Sequence, residues 1–564
     1  MKPNFKNEIA KLICTHVDLE YEEILSSIEV PPDTNMGDYA FPCFKLAKTM
    51  RKAPPAIAED LTTKIDNPNY KAVATGAYLN FFVDKAFLAE NVLKEVIRTK
   101  ENYGRDDQGN GKTIVIDYSS PNIAKPFHVG HLRSTVIGNA LYQMYKFLGY
   151  NCISVNHLGD WGTQFGKLIV AYKNWGDDAL IEQDGIKELT RIYVKFHDEA
   201  EQNNALEDEA RSWLLKMQDG DDEALRLWKW FNDISLKDFN RIYELLNIKF
   251  DHYTGESFYN DKMEPVVEEL RQKSLLILSD GASVVDLEEF KMPPCLILRR
   301  DGGTLYPTRD IAAAIYRKQE YDFDKCLYVT AFDQNLHFEQ WFKVIELMKH
   351  DWAKNLIHVP FGLVALEEGK LATRKGRVVL MEDLLNEAVA KTKSLIEEKN
   401  PDLLDKDEVA KQIGIGAVIF NDLYNNRIKD VVFSWERMLS FDGESGPYVQ
   451  YTHARACSLL EKMQHVELED IDFSLVADEY SVNVIKQVAI YTEKVEEALY
   501  KNEPYIVSRY LMELSQAFSK FYNAHHILNS EKDAQKSRLA VVYSVKLILS
   551  SGLALLGIKA PNKM

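Results

Sequence analysis

The chain is short of cysteine, of net positive charge and of long apolar runs, and each shortage excludes something. Its six cysteines, Cys14, Cys43, Cys152, Cys295, Cys326 and Cys457, stand singly along 564 residues. None pairs at C-x-x-C spacing, so neither a zinc ribbon nor a dithiol redox site is signalled, and no metal site is expected. So sparse a set builds no disulfide scaffold, and reduced thiols fit a cytoplasmic protein. The amino terminus, MKPNFKNEIAKLICTHVDLE, carries charges every few residues and has no apolar core of signal-peptide length. The most apolar stretch, residues 539–558, is interrupted by Lys546 and three serines, which predicts a buried terminal helix rather than a membrane span. Against 86 Asp+Glu stand 68 Lys+Arg, a net charge of −18. That balance excludes a uniformly basic nucleic-acid coat. It leaves open a nucleic acid held on one local basic face, because net charge governs solubility and steering rather than a site.

What is present is a long globular chain, enough for three or four domains of about 150 residues each. Residues 1–110 mix amphipathic helices with short apolar runs and end in the turn-rich NYGRDDQGNGK. The texture then changes. TIVID, residues 113–117, is a short β-branched run and reads as a buried parallel strand. After a loop, Leu132, Val136, Ile137, Ala140, Leu141, Met144, Tyr145 and Leu148 mark one apolar helix face, stopped by Gly149. Residues 152–155 supply the next strand. Strand, loop, helix, strand is the crossover of a nucleotide-binding α/β fold. Residues 171–300 break this alternation with charged helical sequence and read as an insertion, since strand-like runs resume at 326–330 and 356–360. Beyond about residue 380 the pattern is almost wholly helical, divided into a connection at 381–440 and a terminal domain at 441–564. No repeat or low-complexity tract is visible.

The most informative segment is SSPNIAKPFHVGHL, residues 119–132, where a parallel strand ends and a helix begins. Folds of this kind bind phosphate there. His128 and His131 flank Gly130. Two imidazoles can donate hydrogen bonds to phosphate oxygens, and the glycine lets a ligand approach the backbone. Taken alone, the tetrapeptide reads equally as two surface histidines on an ordinary loop. The strand before it, the helix after it, and Lys125 and Asn122 beside it favour the phosphate reading.

His-x-Gly-His after a first strand resembles the signature of class I aminoacyl-tRNA synthetases. The longer strings resemble arginyl-tRNA synthetases in particular: SPNIAKPFHVGHLRSTVIGNAL, NHLGDWGTQFG at 156–166, LYPTRDIAA at 305–313 and SGPYVQYTHAR at 445–455. The resemblance runs from GDYAFPCFKLAK at 37–48 to the last residue. It implies a Rossmann-type parallel-sheet catalytic core (112–380) with insertions, a small α+β N-terminal domain and an all-α C-terminal anticodon-binding domain. It also implies an enzyme that activates L-arginine with ATP, Mg2+ accompanying the nucleotide, and passes it to the terminal adenosine of its tRNA. A monomer, with no membrane partner and with tRNA bound before activation, is the family expectation. The resemblance suggests too that APNKM is a native terminus.

A guanidinium group offers five donors in a planar fork and stays charged, so a selective pocket needs carboxylates with fork geometry backed by neutral acceptors. The resemblance points to Asn122, Glu256, Tyr306, Asp310 and Gln334 as that pocket. From the residues alone Asp310 reads as a helix cap, and Glu256 as one solvated carboxylate among 86 acidic groups. A pocket of this kind rejects lysine and citrulline by leaving acceptors or a carboxylate unpaired, so no editing domain is needed. For ATP the resemblance gives His128, Gly130, His131, Lys125 and Lys370. The place of the family's mobile Lys-Met-Ser-Lys-Ser loop reads Lys370-Leu371-Ala372-Thr373-Arg374-Lys375-Gly376, so Thr373 stands where the second lysine belongs. Lys125 is then expected to compensate; the plain alternative for residues 370–377 is a solvated basic loop. For tRNA the candidates are Asn80, Tyr448, Gln450, Tyr451 and Arg455, although Tyr448 and Tyr451 also have helical core spacing. The rival to an enzyme is a non-catalytic tRNA-binding relative, which would be expected to have lost His128, His131 or Asp310.

Overall fold

The structure, a computed structural model, describes residues 4–366, 369–370, 379–463 and 467–564. Its first strands, β1 (Tyr39–Pro42), β2 (Tyr70–Thr75) and β3 (Tyr78–Val83), form an antiparallel sheet in the order β1-β3-β2. Leu79, Phe81 and Val83 alternate inward along β3, as a half-buried strand requires. They meet Phe5 and Ile9 from the first helix and Leu88 and Val92 from the Lys85–Thr99 helix in one core. Asp84 caps that last helix by accepting from the Phe87 N–H at 2.9 Å.

The catalytic-size core follows. β4 (Thr113–Asp117), β5 (Asn151–Asn156) and β6 (His252–Tyr253) run parallel. β7 (Leu276–Ser279), β8 (Ala282–Val285) and β9 (Cys295–Leu298) leave to form a separate antiparallel sheet. β10 (Lys325–Tyr328) and β11 (Leu356–His358) return, completing a five-stranded parallel sheet in the order β11-β10-β4-β5-β6. Alternation along β4 explains its apolar run: Ile114 and Ile116 enter one hydrophobic core and Val115 the other, so the sheet is covered by helices on both faces. The Rossmann-type reading of the sequence holds.

Within the stretch 171–300, read as inserted sequence, the chain returns once to the parallel sheet. A helical lobe, ending in the Asp222–Leu245 helix, is followed by β6, which rejoins the parallel sheet beside β5 before β7–β9 depart. β6 is two exposed residues long, too short to leave an apolar run in the sequence. A difference lies in the zone read as helical. There β14 (Val431–Phe433) pairs parallel with β12 (Val364–Leu366), which also pairs with β13 (Gly369–Lys370).

The C-terminal part is all helix. Its last helix, Lys532–Leu555, is long and apolar enough by composition to cross a membrane, yet 67% of its apolar 18-residue stretch is buried inside the protein. It packs on the Gly446–Lys462, Glu479–Ala489 and Tyr505–Ala524 helices. The N-terminal and C-terminal parts are also joined: Lys486 pairs with Asp38, and the Tyr103 hydroxyl donates to the Val488 carbonyl at 3.2 Å.

Candidate active site

β4 lies where the strand order changes direction. Its crossover leads to β5 on one side, while β10 arrives on the other. The crevice beyond the carboxyl end of such a strand is where open α/β sheets bind ligands. The loop leaving β4 is strained: Ser119, Ser120 and Ala124 have φ of +72°, +48° and +61°. Each non-glycine residue held there costs on the order of 1–3 kcal/mol and persists only when its surroundings fix it. Here they do. The Ser119 N–H donates to Ser134 Oγ at 2.8 Å, the Ser120 N–H to Asn156 Oδ1 at 3.2 Å, and the Ala124 N–H to Ser235 Oγ at 3.1 Å. The Tyr243 hydroxyl joins Ser119 Oγ at 2.8 Å to the Asn156 amide at 2.9 Å. Sequence reasoning missed Ser134, Ser235 and Tyr243. The last two lie on the Asp222–Leu245 helix of the inserted lobe, and no local pattern ties that helix to the loop.

The two histidines are fixed by the backbone around them. His128 Nδ1 accepts the Gly130 N–H at 3.0 Å, and His131 Nδ1 accepts the His128 N–H at 3.2 Å, a reciprocal capping arrangement with ring centres 4.0 Å apart. A ring nitrogen that accepts a backbone N–H carries no proton, so in each ring the proton sits on Nε2. Burial, reinforced by the neighbouring His128, pushes the His131 imidazole down to about 3. Burial and then the Lys125 charge lower His128. Both rings are therefore neutral Nε2–H donors near neutral pH. Gly130 is required by packing: a Cβ there would lie 2.7 Å from His128 Cε1.

The same segment is stitched to the far chain. The Val129 N–H donates to the Val379 carbonyl at 3.1 Å and the Met381 N–H to the Phe127 carbonyl at 3.0 Å. Lys370 ends β13. The rest of the expected signature loop, Thr373 included, lies outside the described residues.

Glu256 and Tyr306 line one cavity of about 500 Å³, together with Trp161, Asn260, Arg299 and Arg309. Gly255 brings this segment in, since a Cβ there would sit 2.5 Å from the Asp160 carboxyl carbon, and Asp160 accepts from the Ser257 N–H at 2.8 Å. Burial raises the Glu256 carboxyl to about 7; Arg309 opposes the rise, while Asp160 and Asp310 add to it. Asp310 is therefore close enough to be felt by Glu256. Its carboxylate pairs with His337 Nε2 at 2.5 Å. The helix begins at Tyr306 with Leu305 as its cap residue, so Asp310 sits in the second turn and does not cap it. Asn122 is bridged to Gly159, where a Cβ would meet Asn122 Oδ1 at 2.0 Å. Gln334 is exposed at the start of the Asn335–Leu347 helix. Neither lines the Glu256 cavity. Sequence reasoning misses Arg309 and His337: Arg309 has no role of its own inside YPTRD, and His337 carries no signal.

The RNA candidates divide. Tyr451 is exposed, and its hydroxyl accepts from Arg455 Nη2 at 3.0 Å; the Arg455 guanidinium also lies 5.0 Å from the Tyr522 ring centre. Tyr448 is half-buried, with its hydroxyl 3.0 Å from Ser519 Oγ. The other two candidates are buried. Gln450 is 0% exposed and donates to the Gln412 and Lys559 carbonyls at 3.1 and 2.8 Å, so it ties the chain's end to the helices. Asn80 is 3% exposed on the central strand of its sheet. Neither is a surface group. Among the described residues no three His, Cys, Asp or Glu side chains gather as a metal set.

Comparison with known proteins bears on the whole chain. Residues 92–435 match the family model "tRNA synthetases class I (R), catalytic domain", residues 449–564 the "DALR anticodon binding domain" and residues 1–83 the "Arginyl tRNA synthetase N terminal domain". The chain is 56% identical to the arginine–tRNA ligase of Alkaliphilus metalliredigens, with 100% of both chains covered. It is 58% identical to that of Clostridioides difficile over 97% of each. Among solved structures it resembles the Thermus thermophilus arginyl-tRNA synthetase at a TM-score of 0.83 and 26% identity, covering 100% of both.

Proposed function

The chain belongs to the arginyl-tRNA synthetase family of class I aminoacyl-tRNA synthetases, and from that premise we propose how its cleft performs arginine–tRNA ligation. The arginine carboxylate attacks the α-phosphate of ATP, expelling pyrophosphate; the arginyl group then passes to the 3′-terminal adenosine of tRNA for arginine. No protein nucleophile is needed, because positioning and charge stabilisation carry the rate. The observation that carries the reading is the pair of neutral imidazoles at the end of β4, each using Nδ1 as an acceptor so that Nε2–H is the donor, in a chain that also has a cavity lined by Glu256 and Tyr306.

His128 and His131 donate to phosphate oxygens. Lys125 supplies the cation; its charge already depresses both rings, which supports its nearness to the phosphates. Lys370 contributes from the end of β13, and Mg2+ enters with ATP as part of the substrate. Glu256, Tyr306 and Asp310 take the guanidinium; Asn122 and Gln334, which the resemblance also assigns to arginine, lie outside the cavity lined by Glu256. Tyr448, Tyr451 and Arg455 meet the anticodon arm, where an aromatic face beside a guanidinium suits unstacked bases. The protein works in the cytoplasm as a monomer, with tRNA bound before activation as a form of induced fit.

Arginine-dependent ATP–pyrophosphate exchange, run with and without the tRNA, tests this. Exchange with arginine only when tRNA is present is the expected result. Exchange without tRNA removes the induced-fit step, and no exchange under either condition leaves a non-catalytic tRNA-binding relative. Lys125→Ala should lower exchange by about 100-fold, the cost of one charged transition-state contact; full activity would sink its assignment.

A further inference from the structure

The cavity lined by Glu256 and Tyr306 already holds a guanidinium, and it belongs to the chain itself. Arg309 Nη1 lies 3.2 Å from Glu256 Oε2, and the guanidinium carbon is 6.0 Å from the centre of the Tyr306 ring. Its Nε is buried and finds no hydrogen-bond acceptor among the described residues. A guanidinium with five donors is thus held by one carboxylate contact and an aromatic face, with donors to spare. Those two side chains, Glu256 and Tyr306, are the ones assigned above to the substrate's guanidinium. A carboxylate accepts one bidentate fork, so Arg309 and a substrate arginine cannot both take Glu256 in full.

We propose that Arg309 is an internal competitor for the substrate: it occupies the Glu256–Tyr306 subsite until arginine displaces it, and so sets the KM for arginine. This rests on the assignment of Glu256 to arginine recognition. Displacement is feasible because the pair borders the cavity, with side chains 14% and 16% exposed, and a long flexible side chain can swing into that space. A partly exposed ion pair is weak enough for a ligand's own contacts to outbid. Asp310, in hydrogen-bond contact with His337 Nε2 at 2.5 Å, is a second carboxylate that the substrate would have to win.

The test compares exchange kinetics, with tRNA present, for the full-length protein and two variants. Arg309→Gln should lower the KM for arginine by about 2- to 5-fold, the worth of such a pair, and leave the KM for ATP unchanged. Arg309→Lys, which keeps the charge but loses the fork, should lower it less; it also guards against a fold defect in the first variant. A KM for arginine that is unchanged or raised in Arg309→Gln overturns the proposal and makes Arg309 a group that positions Glu256. Glu256→Gln separates the premise from the proposal. If it leaves the KM for arginine unchanged, the assignment of Glu256 fails, whatever Arg309→Gln does.

Discussion

Three arginine–carboxylate pairs, Arg133–Asp422, Arg317–Asp117 and Arg309–Glu256, differ in one respect, how far each is sealed from solvent. Arg133, two residues beyond His131, lies 2.9 Å from Asp422 with both side chains essentially sealed, 1% and 0% exposed. Arg317 lies 2.8 Å from Asp117 at the end of β4. Arg309 and Glu256 are 3.2 Å apart at the wall of a cavity. In the first pair Arg133 Nη1 also donates to the Gly362 and Lys429 carbonyls at 2.9 and 2.8 Å. That guanidinium ties the Leu132–Phe147 helix to the chain flanking β12 and β14. The closed pairs join elements, whereas the open pair holds a place. Burial decides which, because a sealed charge has no solvent or ligand to exchange for its partner.

The sharpest way to break the comparison is at the sealed pair. Asp422→Ala leaves the Arg133 charge buried without its counter-ion and should cost about 3–5 kcal/mol of stability. A matched double variant, Arg133→Met with Asp422→Leu, should recover only part of that loss, since it leaves the Gly362 and Lys429 carbonyls without donors. Thermal or urea unfolding of both proteins measures this. If Asp422→Ala unfolds like wild type, the pair does not join anything. The open pair should respond in the opposite sense. Glu256→Gln should shift unfolding by less than about 1 kcal/mol. It should raise the KM for arginine by about 10- to 100-fold, since a charged hydrogen bond is worth roughly 1.5–3 kcal/mol.

This contrast also explains what the sequence made legible. β4 and its helix were readable because a buried parallel strand and a one-faced helix leave their periods in the residues that form them, and the loop between carried two histidines in the right context. The proposed ATP side of the site is local, built from residues 119–132 with their own backbone as the partner of both imidazoles. The arginine side is not. Glu256 and Arg309 meet across 53 positions of sequence, and nothing near either one announces the other. Gln450 shows the converse: a polar residue inside a recognisable string reads as surface. Only the tertiary structure shows its amide bonded to Gln412 and Lys559. β6 was illegible because two exposed residues hold their place in the sheet by pairing with β5, without a hydrophobic pattern.

The smallest effect separates the two sides of the cleft by pH alone. Glu256 titrates at about 7, raised from the ordinary glutamate range by burial that Arg309 only partly offsets. It is ionised above that pH and takes up a proton as pH falls through it, losing its attraction for a guanidinium. The KM for arginine should therefore rise as pH is lowered from 8 to 6, by up to about tenfold per unit once below 7. His131, buried beside His128, protonates only near 3 and stays a neutral donor across that window, so it gives the KM for ATP no matching rise. Steady-state exchange at a series of pH values, varying one substrate at a time, reads both constants. In Glu256→Gln the arginine dependence should flatten while the ATP profile stays as it was. Parallel profiles for the two substrates in wild type would mean that a group shared by both sides titrates there, and the separation of the cleft into an ATP half and a carboxylate half would be lost.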